Sequence, residues 1–213
     1  MANIAVIDYG MGNLRSVARA LEHVAPKARV VVTQSRAAIL EADRVVFPGQ
    51  GAIGGCMAEL HRLELADVVR RVAADRPFLG LCLGPQALLD FSEENGGVAG
   101  LGVLPGRVAG FSAALAAAAG ERLKIPHMGW NQVRQTRPHP LWRAIAQDSR
   151  FYFVHSYYLQ PGDPALTAGT TRYGIDFTSA IARDPVFAVQ FHPEKSARAG
   201  LQLLANFVAW TPG

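Results

Sequence analysis

The chain has 213 residues, half of them hydrophobic, and a net charge of +4. This length and composition favour one folded domain over residues 1–213 and are not typical of a disordered chain. The sequence contains no run of about eighteen apolar residues that could span a membrane and no basic stripe suited to nucleic acid. We therefore expect neither a membrane nor nucleic acid as a partner. Two cysteines are too few for a disulfide framework, which favours a reducing, cytoplasmic location.

Short apolar runs alternate with helical patterns along the chain. Strands are predicted at seven runs, which are residues 3–7, 29–33, 44–49, 77–81, 151–155, 179–183 and 187–191. Helices over residues 13–24 and 35–40 connect the first strands, and crossover helices imply parallel strands. The pattern predicts an open, mostly parallel, doubly wound α/β sheet with an added mixed or antiparallel portion after about residue 103. An apolar stripe predicts a final helix over residues 197–209, and the alanine-rich run 113–119 is expected to be a surface loop or a helical turn.

The stretch FLGLCLGPQALL, residues 78–89, places a cysteine between two glycines at the end of a predicted strand. Pro85 suits the first position of a helix, which puts Cys82 at a tight turn from strand to helix. Gly80 and Gly84 suit a nucleophile elbow, in which the backbone of the nucleophile is strained and its neighbours must be small. A thiol beside a helix N-terminus favours the thiolate, so we interpret Cys82 as a nucleophile. The alternative is a buried structural cysteine in an ordinary turn.

A second stretch, FHPEKS at residues 191–196, supplies a base. His192 follows the last predicted strand, and in an extended segment Glu194 lies on the same side and can orient the imidazole. Nucleophilic catalysis uses such a base with its orienting carboxylate, although an isolated His-Pro-Glu is more often a solvated turn. Together with the elbow, the pair predicts a triad of Cys82, His192 and Glu194.

A third stretch, PGQG at residues 48–51, also follows a predicted strand. Its backbone at Gly49, Gln50 and Gly51 can turn an N–H toward the elbow and form an oxyanion hole with the N–H of Leu83. Gly49 and Gly51 allow a peptide here to rotate between donor-in and donor-out states at low cost. A loop that rests in the donor-out state would keep the isolated chain slow until a partner shifts the population. The alternative is a simple Pro-Gly turn.

Other candidate sites are weaker. The sequence GMG at residues 10–12 resembles the start of a dinucleotide fingerprint, but Arg15 stands where the third glycine would be. Cys56 has no Cys-x-x-Cys partner and is expected to be structural, and the spacing of His127 and His155 does not suggest a metal. We therefore expect neither a cofactor nor a metal.

Several motifs together resemble one known family. The segments GLCLGPQ (residues 80–86) and HPE (192–194) resemble the signature pair of class I, triad-type glutamine amidotransferases. Within this class, three longer segments are similar to the glutaminase subunits of imidazole glycerol phosphate synthase, a subfamily that acts in histidine biosynthesis. They are DYGMGNL (8–14), KIPHMGWN (124–131) and FYFVHSYY (151–158). The resemblance covers essentially the whole chain and implies the class I amidotransferase fold with its flavodoxin-like core.

The resemblance also implies an activity. Cys82 would attack the side-chain amide of L-glutamine, His192 would shuttle the proton and Glu194 would orient the imidazole. A γ-glutamyl thioester would form, ammonia would leave, and water would release glutamate. By the same resemblance, four groups would hold the glutamine, namely the side chain of Gln86 and the backbones of Gly51, Ser156 and Tyr157.

The implied partner is a cyclase with a (β/α)8 barrel fold, bound as a heterodimer. Asn13 and Lys195 would face this partner. The cyclase would use the ammonia on a phosphorylated ribulosyl substrate, giving imidazole glycerol phosphate and an aminoimidazole carboxamide ribonucleotide.

Three alternatives remain open on the sequence. Glutaminases that serve guanylate, anthranilate or carbamoyl phosphate synthesis share the triad but should lack the segments 124–131 and 151–158. A Cys-elbow hydrolase, such as a peptidase or deglycase, uses a similar sheet and turn and would not need Gln86. A non-catalytic interaction domain would have no need of all three triad residues.

Overall fold

The computed structural model describes residues 2–117 and 123–213. The strands, in chain order, are β1 (Asn3–Ile7), β2 (Arg29–Thr33), β3 (Arg44–Phe47), β4 (Phe78–Leu81), β5 (Phe91–Ser92), β6 (Val98–Ala99), β7 (Gly106–Gly110), β8 (His127–Gln132), β9 (Arg134–Gln135), β10 (Arg150–His155), β11 (Tyr157–Pro161), β12 (Thr167–Tyr173), β13 (Ile175–Arg183) and β14 (Val186–Val189). The α-helices are α1 (Leu14–Val24), α2 (Arg36–Glu41), α3 (Ile53–Arg62), α4 (Ala66–Asp75), α5 (Leu83–Leu88), α6 (Phe111–Ala117) and α7 (Ala197–Ala209). None of the helices within the described ranges has the length and apolar character needed to cross a bilayer.

The main sheet has a parallel half and a mixed half. Its strand order is β2-β1-β3-β4-β14-β13-β11-β7-β5-β6, and β12 and β9 continue from β13 off this path. The strands from β2 to β14 are parallel, in the order typical of a flavodoxin-like core. β13 runs antiparallel to β14, and β11 runs antiparallel to β13 and β7. β8 and β10 form a separate antiparallel pair. The predicted fold class is therefore confirmed.

Helices cover both faces of the parallel half. Along β1, Ile4 and Val6 pack into the core that includes α1 and α7, whereas Ala5 and Ile7 pack into the core that includes α3, α4 and α5. Successive side chains of a strand point to opposite faces, so a strand buried on both faces reads as an uninterrupted apolar run. This explains why NIAVI shows no polar alternation.

The seven predicted strands are present and differ from the prediction only at their ends, whereas β5–β9, β11 and β12 were not predicted individually. α1 and α2 begin one residue later than predicted because Asn13 and Ser35 precede them as N-caps, and Oγ of Ser35 accepts the N–H of Ala38 at 3.3 Å. The last strand ends at Val189, two residues earlier than predicted. Helix α7 has the predicted bounds. Residues 113–117 of the alanine-rich run are helical in α6, and residues 118–119 lie outside the described residues.

Three predicted motifs begin at one edge of the sheet. The carboxyl ends of β3, β4 and β14 are adjacent, with Phe47 paired to Gly80 and Val189 paired to Leu81. In an open parallel sheet, ligands bind outside the carboxyl ends of the strands. The segments that follow these strands are therefore brought together where a site is expected.

Candidate active site

Cys82 joins β4 directly to α5 in a strained conformation. Its φ and ψ are 54° and −92°, in the left-handed half of conformational space. A Cβ at Gly84 would lie 2.3 Å from the carbonyl oxygen of Phe47, and one at Gly80 would lie 2.9 Å from the Cβ of Ala188. Glycine is thus required on both sides for the turn to fit against β3 and β14. The predicted nucleophile-elbow backbone is confirmed.

Pro85 does not have the predicted place in this turn. The helix begins at Leu83, so Pro85 is its third residue and not its first. Proline is still tolerated there, because the first four N–H groups of a helix have no acceptor within it.

His192 and Glu194 meet beside Cys82. Nδ1 of His192 lies 2.8 Å from Oε1 of Glu194, and their side chains are 5% and 1% exposed. The segment is not extended as predicted, since Pro193–Lys195 forms a single 3-10 turn that brings the carboxylate back to the ring. Ser196 fixes this turn, because its hydroxyl donates to the carbonyl of His192 at 2.6 Å and accepts the N–H of Tyr152 at 2.9 Å.

The charge of His192 depends on its two neighbours. Burial lowers the pKa of His192, but hydrogen bonding to Cys82 and Glu194 outweighs burial and raises the pKa to about 10. The raised pKa favours the protonated ring. A cation at this place stabilises the negative charge that a nucleophilic sulfur carries.

Asn13 and Lys195, predicted to face a partner, lie next to the triad. Nδ2 of Asn13 is 3.5 Å from Oε1 of Glu194, at the limit of a hydrogen bond. The other carboxylate oxygen of Glu194 is buried and has no hydrogen-bond partner within the described part of the chain. Lys195 is exposed and lines the pocket above Cys82.

The predicted oxyanion groups are adjacent, but the peptide after Gly49 has its carbonyl toward the elbow. The N–H of Leu83 donates to the carbonyl oxygen of Gly49 at 3.5 Å. The carbonyl and the N–H of a trans peptide point in opposite directions, so the N–H of Gln50 points away from Leu83. Gly51 has a φ of 92°, which suits glycine. The loop is therefore in the donor-out state.

A cavity of about 320 Å³ opens above Cys82. The groups predicted to hold glutamine all line it, and they are Gly51, Gln86, Ser156 and Tyr157. The structure thus brings the predicted nucleophile, base and substrate-binding groups around one space, which is large enough for an amino acid.

Comparison with known proteins identifies the family. Residues 5–210 match the family of class-I glutamine amidotransferases. The chain belongs to this family. This amidotransferase is 59% identical over 213 residues to the imidazole glycerol phosphate synthase subunit HisH of Aromatoleum aromaticum, with 100% of both chains covered. It is 63% identical over 210 residues to the subunit of the same name from Nitrosococcus oceani, with 99% of this chain and 98% of the relative covered.

Solved structures of other proteins share the fold of this amidotransferase. The structure of PurLQS from Thermotoga maritima matches with a TM-score of 0.71 at 15% identity and covers 98% of each chain. The structure of a glutamine amidotransferase from Thermotoga maritima matches with a TM-score of 0.61 at 18% identity, covering 93% of this chain and 78% of the other. At these identities the similarity shows the fold alone.

Sequence reasoning missed Glu94, which lines the amidotransferase pocket, and Gln190, which contacts two residues of its lining. Glu94 lines the cavity, and its Oε2 accepts the N–H of Ile53 at 2.9 Å. Gln190 is fully buried, and its Nε2 donates to the carbonyl of Cys82 at 3.1 Å while its Oε1 accepts from Gln86 at 3.0 Å. Glu94 lies in a short 3-10 turn and Gln190 directly after an apolar strand, so neither place has a local pattern that signals a site.

Of the weaker candidates, Cys56 does not line the cavity, whereas His155 does. Cys56 is a fully buried free thiol in α3, and burial raises its pKa to about 12. Such a thiol stays protonated and is a poor nucleophile. Among the residues that the structure describes, no group of three or more His, Cys, Asp or Glu could hold a metal ion.

Proposed function

We propose that this chain is the glutaminase subunit of imidazole glycerol phosphate synthase and hydrolyses L-glutamine to glutamate and ammonia in histidine biosynthesis. The observation that carries the proposal is the strained Cys82 beside the His192–Glu194 pair, in a cavity of about 320 Å³. The relatives named as this subunit, about 60% identical over the full length, give the assignment its specificity. The whole chain, residues 1–213, acts as one cytoplasmic amidotransferase domain in this proposal.

Glutamine is bound by polar groups around the cavity. The side chain of Gln86 and the backbones of Gly51, Ser156 and Tyr157 hold the substrate. Glu94 adds a carboxylate to the lining, which suits the α-ammonium group of a free amino acid. This charge recognition favours free glutamine over a peptide-bound residue.

Cys82 then attacks the amide carbon of the glutamine side chain. A carbon–sulfur bond forms, and the protonated His192 gives its proton to the leaving nitrogen, so that ammonia departs and a γ-glutamyl thioester remains. The neutral imidazole next takes a proton from water, and the resulting hydroxide attacks the thioester. The carbon–sulfur bond breaks, releasing glutamate and restoring the thiolate beside the imidazolium. Glu194 holds the ring in place through both half-reactions.

The donor-out loop keeps the isolated chain slow. One missing oxyanion donor costs about a hundred- to a thousandfold in rate. The peptide between Gly49 and Gln50 must rotate before its N–H can join that of Leu83. The partner activates the glutaminase by shifting this population toward donor-in.

The partner is a cyclase of the (β/α)8 barrel type that forms a heterodimer with this chain and receives the ammonia. Support comes from the outer face of β8, where Met128 is 62% and Trp130 49% exposed. Large exposed apolar side chains of this kind are typical of protein interfaces. Asn13 and Lys195, which lie next to the triad, complete the proposed contact surface.

The test is to measure glutamate release by the chain alone, with the cyclase, and with the cyclase and its nucleotide substrate. We expect a slow basal rate, a large stimulation in the complete mixture, and no glutamate release by Cys82→Ala. The Cys82→Ala complex should still make product from added ammonia. A basal rate equal to that of the complex would contradict the loop switch, and glutamate release by Cys82→Ala would contradict the proposed chemistry.

A further inference from the structure

His127 and His155 form a buried pair that the proposed chemistry does not use. His127 is 3% exposed and His155 is 6% exposed. The ring of His127 stacks on Phe153 and Tyr173, with ring centroids 4.9 and 4.1 Å apart. Nδ1 of His127 lies 2.8 Å from Nε2 of His155, so the two rings are hydrogen-bonded to each other.

The neighbours of the pair allow one arrangement of protons. Nδ1 of His155 is 2.7 Å from the carbonyl oxygen of Tyr157, which can only accept. Nδ1 of His155 therefore carries the proton, its Nε2 accepts, and Nδ1 of His127 must donate to it. Nε2 of His127 then accepts from Nδ2 of Asn131 at 3.2 Å. The orientation of Asn131 is fixed independently, because its Oδ1 accepts the N–H of Gln132 at 2.8 Å and its Nδ2 donates to the carbonyl of Arg172 at 2.9 Å.

Both rings are neutral in this arrangement. Burial lowers the pKa of His127 to about 4 and that of His155 to about 3. Each ring of a neutral pair offers one donor and one acceptor, and all four nitrogen atoms of the pair have a partner.

The carbonyl at the end of this chain also belongs to the substrate pocket. Nε2 of Gln86 donates to the carbonyl of Tyr157 at 3.4 Å and to Oε1 of Gln190 at 3.0 Å. Gln190 in turn donates to the carbonyl of Cys82 at 3.1 Å. A continuous series of hydrogen bonds therefore leads from Asn131 on β8 to the backbone of the nucleophile, through the groups proposed to bind glutamine.

We propose that His127 and His155 are positioning residues for glutamine, which fix the carbonyl of Tyr157 and, through it, the side chain of Gln86. This inference rests on the proposed function, in which Gln86 and Tyr157 hold the substrate. His155 also lines the cavity above Cys82, whereas His127 does not. The proposed role of the pair includes no proton transfer. Its contribution is the orientation of a backbone segment that lines the pocket.

Two substitutions of His127 separate this role from simple packing. In His127→Asn the side-chain amide can occupy the place of Nδ1 and still donate to His155. In His127→Gln the amide reaches the place of Nε2, so His155 loses its donor. Glutamine fills more of the space of histidine than asparagine does. A packing role therefore makes His127→Asn the more damaging change, whereas the positioning role makes His127→Gln the more damaging one.

The measurements are made on the full chain, alone and with the cyclase. We expect His127→Gln to raise the KM for glutamine about fivefold or more, because a buried acceptor is left unsatisfied, and His127→Asn to stay within about twofold of the native value. Labelling of Cys82 by a glutamine-analogue electrophile should be slower in His127→Gln than in the native chain, and close to the native rate in His127→Asn. Alkylation of Cys82 by iodoacetamide, which does not use the glutamine-binding groups, should be unchanged in both variants.

His155→Asn and His155→Gln repeat the comparison if a His127 variant does not fold, since asparagine again keeps the donor to Tyr157. The exposed His23, changed to the same two residues, is the control for substitution itself. If asparagine and glutamine at these positions changed the KM for glutamine equally, or if asparagine raised it more, the inference would be overturned and the proposed function would stand. A native chain that reacts with iodoacetamide but not with the glutamine analogue would overturn the proposed function and the inference with it.

Discussion

Gly84→Ala is the smallest change that should displace the nucleophile. The added Cβ would lie 2.3 Å from the carbonyl oxygen of Phe47, and both sides of this contact are backbone. Ordinary van der Waals contact begins at about 3.4 Å, so α5 and the end of β3 must separate by roughly 1 Å. These two segments carry the elbow and the oxyanion loop. A misplacement of about 1 Å costs about a hundredfold in rate, which is the loss we expect in kcat.

The matched control is Gly54→Ala in α3. Its Cβ would lie 3.8 Å from the nearest side-chain atoms, and alanine is favoured over glycine in a helix by about 0.5–1 kcal/mol. Glutamate release and thermal unfolding are measured for both variants. We expect Gly54→Ala to be as active as the native chain and slightly more stable, and Gly84→Ala to be nearly inactive. A Gly84→Ala variant with native kcat and native thermal stability would refute the reasoning.

Further predictions concern the base and the substrate contact. The pKa of His192 is raised to about 10, so glutamine-dependent turnover should fall as pH rises through about 10, because the ring can no longer protonate the leaving nitrogen. The stability that the His192–Glu194 ion pair contributes to the fold is fully present below the ordinary histidine pKa. It should be lost as the pH rises through the raised pKa of about 10. Glu194→Gln should move the alkaline limb of the pH–rate profile to lower pH, and an unmoved limb would contradict the assigned role. Gln86→Ala should raise the KM for glutamine and spare ammonia-dependent synthesis by the cyclase, whereas loss of both would indicate misfolding.

The sequence was most informative where the backbone has few choices. Apolar runs between helical segments predicted the parallel core, because a strand covered on both faces has no polar positions. The glycines around Cys82 predicted the elbow, since close packing against β3 and β14 excludes any side chain at Gly80 and Gly84. These features depend on local sterics, which short segments of sequence record.

Features that depend on tertiary contacts were harder to predict. Glu194 reaches His192 through a 3-10 turn and not through an extended segment, because Ser196 ties the turn to β10. Gln190 looks like part of an apolar strand, and its link between Gln86 and Cys82 exists only after the sheet forms. The orientation of the peptide after Gly49 could not be derived from its residues, because glycine permits both orientations.

The most direct test of the proposed chemistry is to trap the covalent intermediate. The chain, bound to the cyclase, is mixed with glutamine, quenched in acid and digested. The masses of the peptides that contain Cys82 and Cys56 are then measured by mass spectrometry. We predict one added γ-glutamyl group on Cys82 and none on Cys56 in the native chain, and no added group on either peptide in the Cys82→Ala variant. Glutamate release with no adduct at Cys82 under conditions where thioesters survive, or an adduct at Cys56, would contradict the account.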